Sequence, residues 1–394
     1  MERLVGLTAL FQLLLMLVTS SLWTGVSDFP AVPLFAVPIP GFVLPVSSAL
    51  LVLGCVLILP SLLGRSFPAG ELKKRLLAGI VLLIGLIPGV INIHCFQAWH
   101  CFFLMVMLIR AVEPTHRQRA SLMMVLGGLY LCSGLSRISP QIDSGISALV
   151  MQQLIPRQIS PQLSAWLTRL ALAGEILLGL CCLGAVKRSW LRLPILGSAV
   201  LMHISLLFAL GPLRLNHHAG VLLWNLFFVL LIPLLLRPGI NSGSSARGGI
   251  IAVALLFFSG SGLCGLADNW AGWQLYSDRP ERWELWIHDW SRSRLPDAYQ
   301  RWLSTRSVGG WRILQLDRMC LAQTGSPMYP EDRFHLGVME RILSQSDPDL
   351  RFRILIDEPD GLIWWRRRQR EIRSVAGLVD ERSQFLLNAT AAVR

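Results

Sequence analysis

The sequence predicts an all-α polytopic membrane bundle of about nine spans, followed by a small α+β extracytoplasmic domain. Three observations predict it. Of 394 residues, 53% are hydrophobic and only 15% charged, where a soluble chain carries about a quarter charged. Apolar runs approaching the roughly 20 residues needed to cross the hydrocarbon core recur through the first two thirds. After residue 266 the character changes: nine of the fourteen tryptophans lie there, and no lysine.

Nine apolar runs qualify as spans, near 4–23, 42–64, 76–93, 96–110, 120–138, 165–186, 193–211, 219–236 and 248–266. The first follows Met1-Glu2-Arg3. It is too long for a signal peptide and no Ala-x-Ala site follows, so it reads as a retained span. The third and fourth are short and almost contiguous, which predicts a tight hairpin. The stretch 139–164 is not a span. It holds Asp143, Pro156, Arg157 and Pro161 around a short apolar run, Ile146–Leu154, and reads as a helix and a turn lying along the outer interface.

The net charge of +12 first looks like that of a nucleic-acid binder. Splitting the chain excludes that class. Residues 1–266 hold 17 Lys+Arg against 6 Asp+Glu, and residues 267–394 hold 19 against 18. The excess sits in short loops between spans, where it orients the chain. Arg65, Lys73, Lys74 and Arg75 lie in one such loop, Arg110, Arg117 and Arg119 in the next but one, then Lys187, Arg188 and Arg192, then Arg237 and Arg247. These are alternate loops, and Arg3 falls on their side. The expectation is a bacterial inner-membrane protein with a cytoplasmic N-terminus and a periplasmic C-terminal domain, residues 267–394, after a transmembrane domain of residues 1–266.

In that C-terminal domain, "ERWELWIHDW" alternates as a strand and "DLRFRILIDEPDGLIWWRRRQREI" reads as a hairpin turning at Pro359-Asp360-Gly361. "LPDAYQRWLS" and "PEDRFHLGVMERIL" read as helices opened by Pro and an acid. The run Arg366-Arg367-Arg368-Gln369-Arg370 invites a polyanion. Strand alternation and the neighbouring acids favour a solvated strand with ion pairs. The eight cysteines form no C-x-x-C, and most read as small apolar packing residues. Cys264 and Cys320 are the one extracytoplasmic disulfide candidate.

Ionisable groups inside a membrane each need a reason, since burial at mid-bilayer costs about 2.5–3.5 kcal/mol. On this topology Arg137, Arg169, Glu175, His203, Trp224 and Asn225 fall from the outer end of the spans to mid-depth. His94 and His100 fall at the outer tip of the hairpin, and Arg214, His217 and His218 in the outer link to span eight. Their shared depth predicts an outward-facing polar cavity. Arg137, Glu175, His203, His94, His100, Trp224 and Asn225 are its candidate ligand-binding residues, and Glu175 and His203 its candidate catalytic ones. Glu175 and Arg169 are six apart and point to different faces. Glu175 therefore needs a partner on another helix, Arg137 or His203, or must be protonated. Arg169 can snorkel to the headgroups. His203 is either a neutral buried imidazole or a proton relay, and Trp99 and Trp224 serve equally as interface anchors. His217 and His218 are candidate metal ligands without a third, so no metal is assigned.

The segments "YLCSGLSRISPQIDSGISAL" and "LTRLALAGEILLGLCCLGAVKRS" resemble the core of the DoxX/MauE-like membrane proteins and the HTTM domain, the transmembrane domain of vitamin-K-dependent carboxylases. In that pattern a span ends in Gly-x-x-Lys and the next carries Glu-x-x-x-Gly-Leu. The corresponding residues here are Gly134–Arg137 and Glu175–Gly179. "VLMHISLLFALG" and "HHAGVLLWNLFF" are similar to the later spans. The resemblance implies nine spans, an extracytoplasmic tail and a quinone-linked site. It also implies a lysine base at the position that Arg137 occupies. A guanidinium has no lone pair to offer, so Arg137 cannot abstract a proton, although it can hold an anion or pair with Glu175.

Two functions compete. One is a redox-related membrane protein that binds a quinone or other small lipophilic ligand in the outer cavity. The other is a non-enzymatic membrane anchor or envelope assembly protein that presents the C-terminal domain to an envelope partner. A transporter is less well supported, since the hydropathy shows no inverted repeat and no paired broken helices.

Overall fold

The computed structural model describes residues 1–64, 70–139, 142–143, 145–155, 159–186, 188–237, 249–274, 277, 280–360 and 367–392. Arg65, Pro156, Arg157, Lys187, Arg247, Gly361 and Arg366, which carry parts of the readings above, lie outside the described residues.

Every apolar run of the sequence is helical. The helices are α1 (Glu2–Val18), α2 (Ser20–Thr24), α3 (Val43–Ile58, continued by a 3-10 turn Leu59–Leu63), α4 (Glu71–Ile91), α5 (Ala98–Val112), α6 (Thr115–Ser136), α7 (Ile146–Leu154), α8 (Pro161–Ala185), α9 (Arg192–Leu210), α10 (Ala219–Leu236) and α11 (Ile250–Gly262). Six are long and apolar enough to cross a membrane: Val43–Leu63, Glu71–Ile91, Thr115–Ser136, Pro161–Ala185, Ser189–Leu210 and Ala219–Leu236. These make the chain an integral membrane protein. The remaining three runs give shorter helices. The first run is broken: α1 ends at Val18, and α2 restarts the chain after Thr19. The fourth and ninth runs give helices of 15 and 13 residues.

Local chemistry sets several ends. Ser160 Oγ accepts the Leu163 N–H, and Pro161 occupies the first turn of α8. The His218 ring caps α10 by accepting the Gly220 N–H at 3.2 Å. The short apolar run between spans five and six forms α7, Ile146–Leu154.

The chain divides into two compact units. The first comprises Met1–Val18, Ala49–Gly85 and Gln97–Asp278, and the second Thr19–Ser48, Leu86–Phe96 and Arg279–Arg394. The unit that holds the tail thus also takes in residues 19–48 and 86–96. In the first unit α6 packs along α8, with α11 beside it, and α10 packs on α9 and α1. Glycines let α6 and α8 approach. A Cβ on Gly179 would stand 2.6 Å from Leu131 N and 2.9 Å from Gly127 O, and one on Gly134 would stand 2.6 Å from Ile176 Cγ1. This is how small residues bring helices together where lipid supplies no hydrophobic drive between them.

The second unit is built on a four-stranded antiparallel sheet, order β2-β1-β3-β4, from β1 (Arg282–His288), β2 (Trp311–Leu314), β3 (Phe352–Pro359) and β4 (Arg367–Ile372). The helices α12 (Asp297–Gln300), α13 (Leu316–Thr324), α14 (Asp332–Ser344) and α15 (Val375–Arg382) complete it. Trp283, Leu285 and Ile287 alternate inward and pair across to Ile356, Ile354 and Phe352. Phe334, Met339 and Ile342 of α14 are buried as well. Residues 29–34 thread this unit. Ile93 N donates to Val32 O at 2.9 Å, Asn388 Nδ2 to Pro33 O at 2.8 Å, and Phe29 stacks on Phe334. The arginine run is a strand with ion pairs: Arg367 holds Asp357, Arg368 holds Glu358, and Arg370 holds Glu358 and Glu381. "LPDAYQRWLS" is helical only over the four residues of α12. All eight cysteines are free, so the Cys264–Cys320 disulfide is not formed. Cys320 instead lies 3.7 Å from the His94 ring in the second unit.

Candidate functional site

On α6, Tyr130, Ser133 and Arg137 recur at helical spacing and share one face. Arg137 ends the helix. Its Nη2 bonds the Glu175 carboxylate of α8 and, at 3.2 Å, Ser133 Oγ. Its Nε donates to Ser133 O at 3.1 Å. Of the two partners proposed for Glu175, Arg137 is the one it takes. Arg169, half exposed, pairs with Asp143, with Nε 3.2 Å from Oδ1.

Two turns before Arg137, the Tyr130 hydroxyl stands 2.8 Å from His203 Nε2, and His203 Nδ1 stands 2.9 Å from Asn225 Oδ1. The hydrogens follow from the last link. Asn225 Nδ2 donates to Val221 O at 2.9 Å, so its oxygen faces His203 and can only accept. His203 therefore carries its proton on Nδ1, and Nε2 accepts from the phenol. The three side chains are buried, at 1%, 5% and 5% exposure, so their polar atoms need these partners. His203 stacks on Phe228 with centroids 4.7 Å apart, and Trp224 meets Phe228 edge-on at 4.5 Å.

His100 forms a second polar node of the same unit. Its Nε2 donates to Gly85 O at 2.9 Å, and its Nδ1 lies 3.0 Å from Gln12 Nε2. Gly85 O can only accept, so here the proton sits on Nε2, the opposite tautomer to His203. Beside it Gln12, Trp99, Phe102, Trp224 and Phe227 line a cavity of about 10 Å³, the room of about one water.

His94 belongs to the other compact unit. Its Nε2 stands 2.7 Å from Pro327 O and its ring meets Phe334 at 5.2 Å. Burial holds it down to about 4, well below the ordinary imidazole value. His217 and His218 turn their Nδ1 atoms to backbone amides, those of His218 and Gly220. Among the described residues no group of three or more His, Cys, Asp or Glu is arranged to hold a metal.

Sequence reasoning passed over Tyr130, Gln12 and a charged cluster in the second unit. Tyr130 was signalled by its spacing of seven from Arg137. In the cluster, Arg370 faces Glu281 at 3.8 Å besides Glu358 and Glu381, and Trp283 Nε1 donates to Glu281 at 3.0 Å. Burial, then the Glu358 charge, raise the Glu281 carboxyl to about 7. Burial and Glu281 push Asp332 well above the carboxylate range. No protein-family model, curated protein or solved structure matches the chain.

Proposed function

We propose that the chain is a redox-related membrane protein of DoxX/HTTM-like type that takes a quinone or similar small lipophilic ligand. In this reading it crosses the bacterial inner membrane nine times, with a cytoplasmic N-terminus and a periplasmic tail. Its reactive element is the Tyr130–His203–Asn225 chain, and Arg137 and Glu175 fix α6 beside it. The observation that carries the reading is the buried phenol–imidazole bond of 2.8 Å. It pairs a proton donor with a neutral acceptor inside an aromatic cage, the arrangement that lets a proton move with an electron or to a bound carbonyl.

The test is binding of a short-chain ubiquinone analogue to the purified full chain, read by quenching of tryptophan fluorescence. Saturable quenching that is lost in Tyr130→Phe and His203→Ala is expected. Equal quenching in wild type and both variants defeats the reading. Labelling of Cys264, the exposed cysteine, by an impermeant maleimide on intact spheroplasts tests the sidedness.

A second reading is favoured by the Arg137–Glu175 pair, whose charges satisfy each other. In it the bundle is an anchor, its polar groups are structural, and the tail engages an envelope protein. Deletion of 267–394 would then abolish function while His203→Ala would spare it.

A further inference from the structure

Where the start of α1, the start of α6 and the end of α10 meet, the helical unit holds a cavity of about 300 Å³. Glu2, Arg3, Gly64, Arg119, Leu234 and Arg237 are in its wall. The one acid among its lining residues is already engaged: Arg110 Nη2 stands 3.0 Å and Lys74 Nζ 3.7 Å from Glu2. The three arginines are not matched in this way. Arg119 Nη1 reaches the Arg237 carbonyl at 3.5 Å, and its buried Nε has no hydrogen-bond partner. The Arg3 guanidinium lies against Gly64, where a Cβ would stand 3.5 Å from Nη2. Among the described residues, no carboxylate is within ion-pair reach of Arg3, Arg119 or Arg237. Three other arginines of the bundle do have one: Arg110 has Glu2 and Glu71, Arg137 has Glu175, and Arg169 has Asp143, while Arg75 donates to the Ala111 and Val112 carbonyls instead.

Three unmatched guanidiniums around one cavity call for an anion with several acceptor oxygens, and a phosphate group is the best geometric match to their planar forks. Leu234 adds apolar wall, which a soluble anion would leave unused and an acyl chain would cover. The cavity also lies at the ends of membrane helices, where basic pockets meet headgroups. We propose that it binds the phosphate-bearing headgroup of an anionic phospholipid. This is independent of the ligand assigned to the His203 region.

The experiment is native mass spectrometry of the full chain from detergent doped with equimolar phosphatidylglycerol and phosphatidylcholine, with and without millimolar inorganic phosphate. Wild type is expected to retain phosphatidylglycerol in about ten-fold or greater preference, and inorganic phosphate is expected not to displace it. The variant Arg3→Gln/Arg119→Gln/Arg237→Gln should lose the preference while keeping its helical circular dichroism. Should that variant not fold, Arg3→Gln/Arg237→Gln changes two exposed side chains only and should still lower the preference several-fold. Equal retention of the two lipids by wild type, or an unchanged preference in a folded variant, overturns the proposal. Complete displacement by inorganic phosphate overturns the lipid assignment and makes the cavity a soluble-anion site.

Discussion

Arg137 closes α6 on Glu175 of α8, and the two belong to the segments Gly134–Arg137 and Glu175–Gly179. Those short motifs are each other's packing partners. Gly134 admits Ile176, Gly179 admits the α6 backbone near Leu131, and the charges meet at the end of the contact. The serine one turn back, Ser133, takes the Nε and a second Nη2 donor of the guanidinium, and Ser147 Oγ lies 3.5 Å from Nη1. The pair is therefore a fastening of one helix to another, placed where the smallest residues have already brought the backbones together.

Breaking such a pair costs more than never having it, because one charge is left without its partner. Arg137→Gln is expected to lower stability by about 3 kcal/mol. Glu175→Gln should cost less, since Arg137 keeps both Ser133 contacts. The double variant Arg137→Gln/Glu175→Gln should fall well short of the sum of the two singles. Equilibrium unfolding of the purified protein in mixed micelles measures all three, and strict additivity would show that the groups act independently.

Tyr130→Phe removes only the donor to His203 Nε2 and keeps the ring against Phe228, 6.3 Å away. It leaves a buried acceptor unsatisfied, at an expected cost of about 1–3 kcal/mol. Asn225→Leu leaves the Nδ1 proton of His203 without its acceptor, so a cost of the same order is expected. The ring then becomes free to hold its proton on either nitrogen. Nitrogen-15 chemical shifts of the labelled imidazole distinguish the tautomers, with Nδ1–H expected for wild type.

Much of the architecture was legible because run length and alternation are coarse, additive signals. The apolar runs became helices near their expected bounds, α7 fell on Ile146–Leu154, and Trp283, Leu285 and Ile287 turned inward as alternation required. What was not legible depends on pairings remote in sequence. Nothing local marks residues 29–34 as a strip held by Ile93 and Asn388. Strand β2 has four residues and declares itself only against β1. For the site, the ionisable residues drew attention but their partners did not follow. The choice between Arg137 and His203 as the partner of Glu175 turned on how α6, α8 and α9 pack. Tyr130, which counts as an aromatic core residue by composition, proved to be the group on His203. His94 and His100 are six apart in sequence yet belong to different compact units.

Two glycines of α8 separate crowding from propensity. A Cβ on Gly174 meets nothing within 4 Å, whereas one on Gly179 meets backbone atoms of α6. Gly174→Ala should leave stability unchanged or raise it by about 0.5–1 kcal/mol, the ordinary helix gain. Gly179→Ala should cost about 1–3 kcal/mol, because backbone atoms cannot yield as a flexible side chain can. The same change should part α6 from α8 and weaken the Arg137–Glu175 pair. Thermal melts of both variants, with Arg137→Gln added to each, check this. The added Arg137→Gln should cost less in the Gly179→Ala background than in the Gly174→Ala one.

The second unit carries opposing titrations whose windows only partly overlap. The folded-state carboxyl of Glu281 is raised from 4.5 to about 7 by burial and by Glu358, and Asp332 is raised too. A raised carboxyl means that the folded state holds the proton more tightly. Its stabilising contribution is complete below 4.5 and is lost as the pH rises through about 7. His335, like His94, is lowered by burial from 6.5 to about 4. Its contribution is complete above 6.5 and is lost as the pH falls through about 4. Between 4.5 and 6.5 the slopes oppose, and above 6.5 the carboxyls act alone. The urea midpoint of the full chain, followed by tryptophan fluorescence, should therefore be nearly flat across the middle of the acid range and fall between pH 6.5 and about 8. Glu281→Gln keeps a neutral group beside Glu358, so it should remove much of that alkaline fall and leave the acid limb in place. His335→Gln should remove only its own share of the acid limb, His94 keeping the rest, and leave the alkaline fall in place. An alkaline fall of the same size in Glu281→Gln and wild type would mean that Asp332, and not Glu281, carries the proton of this cluster.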